Sequence, residues 1–142
     1  MRTLALGLTG FTTLGIVTYW SLVFTRVFPV TELVPGYRTW FMSFPLADGW
    51  IAAVSLLAFI FLLQNNEKAT LFGLLTGSNL IFLGLYALLY GVNTGLLFIL
   101  TTNEIIEIGI KVYCLTVGSF FSVYFWNLAK ERLAHPAAGS RP

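Results

Sequence analysis

Four long apolar runs constrain this chain more than any other feature of it. They cover about Leu4–Phe24, Ala47–Gln64, Leu71–Gly91 and Glu104–Leu128. Each reaches the roughly 20 residues that a helix needs to cross a bilayer. Their apolar residues run on without the three-or-four spacing of an amphipathic surface helix. With 57% hydrophobic and 10% charged residues, the chain also lacks the charges that would coat a water-facing surface. The expectation is an all-α integral membrane protein: residues 1–142 as one domain, four transmembrane helices in one bundle.

Basic residues set the expected orientation. Arg2, Lys68, Lys130, Arg132 and Arg141 would share one side and Arg26 and Arg38 the other, which puts both termini in the cytoplasm. Arg2 followed by an apolar run resembles the start of a signal peptide, but no small-x-small cleavage site follows. The run is read as a retained first helix.

Between the first two helices lies the longest loop, 25–46, reading TRVFPVTELVPGYRTWFMSFPL. Pro29, Pro35-Gly36 and Pro45 break it, and Trp40, Phe41, Met42 and Phe44 give it an apolar side. Such a loop is expected to be ordered, lying over the outer mouth of the bundle or among the headgroups. Asn65–Thr70 reads as a tight polar turn, and 129–142 as a flexible cytoplasmic tail. The stretch 92–100 is too short to span; it would lie at the interface, lengthen the third helix, or dip into the bundle.

Gly73 and Gly77 form a GxxxG in the third helix, and Gly84 and Gly91 continue the stripe at intervals of seven. Small residues let helices approach closely in lipid. The stripe therefore serves either the chain's own bundle or a seam with a second copy or a foreign subunit. Gly7, Gly15, Gly109 and Gly118 suit the same use.

Glu104, Glu107 and Lys111 stand at i, i+3 and i+7 at the start of the fourth helix, so they share a face. Ionisable groups at membrane depth are expensive and turn toward protein or water. Glu107 precedes Lys111 by one turn, the favourable order for a helical ion pair, and Glu104 suits the positive end of the helix dipole. On the third helix Asn79, Tyr86 and Tyr90 fall on one face, Tyr86 and Tyr90 at depths similar to Glu107 and Lys111 and Asn79 nearer the middle, and Asp48 joins from the outer end of the second helix. Together these seven residues form a candidate polar pocket. Asp48 also reads as a helix N-cap. Tyr19, Trp20, Tyr124 and Trp126 read as interfacial belt residues.

The remaining residues narrow the chemistry. The single histidine, His135, lies in the tail, and the single cysteine, Cys114, lies mid-helix, which excludes an intrachain disulfide or a CxxC redox pair. No cofactor or metal is expected, since clustered ligands are absent, and no P-loop, dinucleotide-binding loop or GxSxG motif occurs. The net charge of +2, without a basic cluster, gives no footing for nucleic acid.

Three functional expectations follow. The first is a non-catalytic membrane subunit or assembly factor, held by partners along the glycine stripe. The second is a binding protein or proton-transfer enzyme for a small hydrophobic or lipid-like molecule, in an outer-leaflet pocket around Glu107 and Lys111. The third is a small oligomeric transporter.

Overall fold

The computed structural model describes residues 1–134, so His135 and the rest of the tail lie outside the described residues. The described part is helical: α1 (Arg2–Phe24), a short α2 (Tyr37–Phe41), α3 (Pro45–Leu63), α4 (Lys68–Asn93) and α5 (Thr102–Ala134), with a 3-10 turn at Leu96–Phe98. α1, α4, α5 and the continuous segment Tyr37–Leu63, which contains α3, are long and apolar enough to cross a membrane, as in a multi-pass integral membrane protein.

Local chemistry sets the ends of these helices. Pro45 occupies the first turn of α3, where its fixed φ and missing N–H cost nothing. Asn65 takes a left-handed conformation (φ 53°) to reverse the chain, and the Asn66 side chain accepts a hydrogen bond from the Lys68 amide at 2.9 Å to start α4. Gly36 (φ 79°) opens α2 and Gly95 (φ 72°) opens the 3-10 turn, both in a region that L side chains rarely enter.

One helix boundary is corrected by the structure, and one open stretch is resolved by it. The fourth helix does not stop at Leu128 but continues to Ala134, because Ala129–Ala134 are good helix formers although Lys130, Glu131 and Arg132 are charged. The stretch 92–100 is split: Val92 and Asn93 finish α4, and the 3-10 turn then drives Leu96 into the bundle, where it is fully buried.

The long helices alternate in direction. Arg2 donates to the Leu62 carbonyl at 2.8 Å, joining the start of α1 to the end of α3. Arg132 reaches Thr70 Oγ1 at 3.2 Å and ties the end of α5 to the start of α4. Around the bundle α1 packs on α3, α3 on α4 and α4 on α5, whereas α5 and α1 scarcely meet. The ring is thus open on its α5–α1 side.

The closest seam is α4–α5, and glycine makes it. A Cβ at Gly77 would lie 2.8 Å from Ser122 Oγ and 2.9 Å from the Gly118 carbonyl; one at Gly84 would lie 2.9 Å from Leu115; Gly73 lies under the Phe125 ring. Gly91 is looser, 3.5 Å from Leu97. The stripe is therefore used inside the chain, which removes it as an open face for a partner. Gly118 joins this seam as expected, but a Cβ at Gly7, Gly15 or Gly109 would meet nothing within 4 Å. Those three do not serve close packing within the chain.

Candidate functional site: a cavity between α1 and α5

The open side of the bundle leads into a cavity of about 470 Å³. On α1, Phe11, Gly15 and Tyr19 alternate with Thr12, Ile16 and Trp20 at four-residue spacing, so one face supplies that wall. On α5, Ile106, Gly109, Ile110 and Tyr113 flank Glu107, Lys111 and Cys114 in the same manner. Leu80, Leu83 and Ala87 of α4 line it as well, with Trp40 and Phe41 of α2 and the adjoining Phe44. Phe11, Gly15, Ile106, Gly109 and Ile110 are exposed, so the cavity opens sideways through the gap between α1 and α5. Tyr113 bridges that gap with a 2.7 Å hydrogen bond to Thr12.

The walls are almost wholly apolar, and the ionisable side chains lining them are few. Glu104, Glu107 and Lys111 are buried at 2%, 8% and 5% exposure. Lys111 Nζ donates to Glu104 Oε1 at 2.7 Å and stands 3.7 Å from Glu107 Oε2. The expected Glu107–Lys111 pair is thus the longer of the two contacts. A lysine side chain extended toward the helix N-terminus reaches two turns back, where Glu104 sits. Glu107 is engaged instead by the buried Tyr37 hydroxyl, which donates to its Oε1. Glu107 also lines a second, very small pocket of about 10 Å³ beneath Phe28–Leu33.

Asp48 does not cap a helix. Phe44 holds the N-cap position of α3, and Asp48 lies inside the first turn, because Pro45 starts the helix earlier. Its side chain lines the cavity, where Oδ2 accepts a 2.7 Å hydrogen bond from Trp20 Nε1. Its Oδ1 is buried and has no hydrogen-bond partner among the described residues.

The structure therefore brings Asp48, Glu107 and Lys111 together around one cavity, with Glu104 directly behind Lys111. Tyr86, Tyr90 and Asn79 are not among the cavity-lining residues. The Tyr90 ring stacks on Trp40 at 3.8 Å between centroids and Tyr86 stacks beside it, so Trp40 and Phe44 come between this face and the cavity. Asn79 has a buried Nδ2 with no partner among the described residues, away from the cavity.

Four residues that line or frame the site carry no clear periodic signal or read as something else in the sequence. Trp20 is buried, held by Asp48 and the Phe41 ring, and not in a lipid-facing belt. Tyr19 lines the cavity. Tyr37 and Trp40 come from the loop, where only the preceding Pro35-Gly36 hints at a turn into a helix.

The chain matches no protein-family model, no curated protein and no solved structure, so the cavity's role must be read from its own geometry.

Proposed function

We propose that this chain spans the bilayer four times and binds a small amphipathic molecule in the α1–α5 cavity. The carrying observation is the cavity itself: an apolar space of about 470 Å³, within the range of about 300–1,000 Å³ usual for ligand sites, ending on a few buried polar groups. The apolar body of the ligand occupies the space between α1 and α5, and its head meets Asp48, Glu107 and Lys111. The ligand arrives from the lipid through the side opening, between Gly15 and Gly109.

Binding fits this arrangement better than catalysis. Glu104, Glu107 and Lys111 are each already engaged by a neighbour, whereas a general acid or base must reach the proton it moves. The subunit reading loses support from the fold, since the glycine stripe on which it drew is buried against α5.

The test is to fill the cavity without touching its polar end. Gly15→Leu and Gly109→Leu place side chains where a Cβ meets open space. A photoreactive alkyl diazirine incorporated into vesicles should label the buried cavity-lining residues Leu80 and Cys114 in the unaltered chain, and that labelling should fall to background in the double variant. Labelling spread evenly over exposed positions such as Leu14, Phe82 and Val123, and indifferent to both substitutions, would show that nothing enters.

A further inference from the structure

The cavity's charges do not balance. Asp48, Glu104 and Glu107 bring three carboxylates to the site and Lys111 brings an ammonium; among the described residues no other cationic side chain lines the cavity or the small pocket beside it. Lys111 is spent on Glu104 and Glu107, and Tyr37 supplies the other donor to Glu107. Asp48 is left with a neutral indole on one oxygen and nothing on the other. A buried acceptor without a donor costs about as much as a lost hydrogen bond, and more when it carries charge.

Resting on the ligand-binding reading above, we infer that the bound molecule is a cationic amphiphile whose amine donates to Asp48 Oδ1. An ammonium there supplies a donor for the orphaned oxygen and a charge opposite to that of the Asp48 carboxylate. Its charge-assisted bond is stronger than any that a neutral hydroxyl can make. A carboxylate head would face Asp48 with like charge. Trp40 also lines the cavity, with its Nε1 buried and unpartnered among the described residues.

The experiment reconstitutes the full chain in phosphatidylcholine vesicles, in a Trp50→Phe/Trp126→Phe background. The two remaining tryptophans, Trp20 and Trp40, both line the cavity. Bromine quenches indole fluorescence on contact, so probes with the bromine close to the head are used, and 3-bromobenzylamine, 3-bromobenzyl alcohol and 3-bromobenzoate are compared at equal mole fraction in the bilayer. The amine should reach half-quenching at about one tenth of the mole fraction needed by the alcohol, the size of effect a charged hydrogen bond gives. The carboxylate should be weakest, and Asp48→Asn should bring amine and alcohol level. Should Asp48→Asn fail to fold, the order of the three probes on the chain that retains Asp48 decides alone. Equal quenching by alcohol and amine, or a preference for the carboxylate, overturns the cationic assignment and leaves the cavity reading standing. Quenching of Trp20 and Trp40 by all three probes no greater than that of a lipid-exposed indole overturns both.

Discussion

Replacing Lys111 with methionine keeps the apolar stem of the side chain while removing the only ammonium at the site among the described residues. Glu104 and Glu107 would then be buried at 2% and 8% exposure with no cation beside them. Breaking a buried pair by deleting one partner costs about 3–5 kcal/mol, because a charge is left uncompensated. The structure also says which carboxylate should account for most of that cost. By distance alone, 3.7 Å against 2.7 Å, attraction to Glu107 is about three quarters of that to Glu104. The direct hydrogen bond, worth roughly 1.5–3 kcal/mol for a charged donor, belongs to Glu104 alone. Double-mutant cycles with Glu104→Gln and Glu107→Gln, read by unfolding in mixed micelles under increasing SDS, separate the two contacts. Coupling of Lys111 to Glu104 should exceed coupling to Glu107 by about 1–2 kcal/mol, and Glu104→Gln should rescue much of the Lys111→Met loss. A Lys111→Met chain as stable as its parent, or stronger coupling to Glu107, would refute the arrangement.

Two further substitutions probe the frame around the cavity. Gly77→Ala pushes a methyl against the α5 backbone and should cost about 1–3 kcal/mol, whereas Gly15→Ala meets open space and should be neutral or stabilise by up to about 1 kcal/mol; the same SDS titration compares them. Tyr37→Phe removes the hydroxyl that donates to Glu107 and should cost about 1–3 kcal/mol, with near-ultraviolet circular dichroism checking that the aromatic cluster of Tyr37, Trp40 and Phe41 survives.

The frame of the fold was legible in the sequence because apolar run length reports directly on helices long and apolar enough to cross a bilayer. Helix ends were less so: Arg2, Lys68 and Lys130–Arg132 are helical yet charged, so hydrophobicity falls away before the helix does. The face shared by Glu104, Glu107 and Lys111 was legible from spacing, but their pairing was not, since it depends on how far the lysine stem reaches. Asp48 was visible as a polar residue near a helix start; its bond to Trp20 was not, because it joins two helices across the long loop. Tyr37 and Trp40 were hidden for a different reason. A five-residue helix shows no periodicity, and only its packing over the cavity brings these aromatics to the site.

Glycine illustrates the same divide. Gly77 and Gly109 look alike in sequence, yet one lies in the tightest helix seam and the other beside an opening. What separates them is the partner helix: α5 closes on α4, whereas α1 and α5 scarcely touch.

The most direct measurement is native mass spectrometry of the chain released from its own membranes in a mild detergent, beside the Gly15→Leu/Gly109→Leu variant prepared identically. The account predicts a discrete small-molecule adduct on the unaltered chain and its loss from the variant. A bare chain in both preparations, or a stoichiometric protein partner with no small molecule bound, would contradict it.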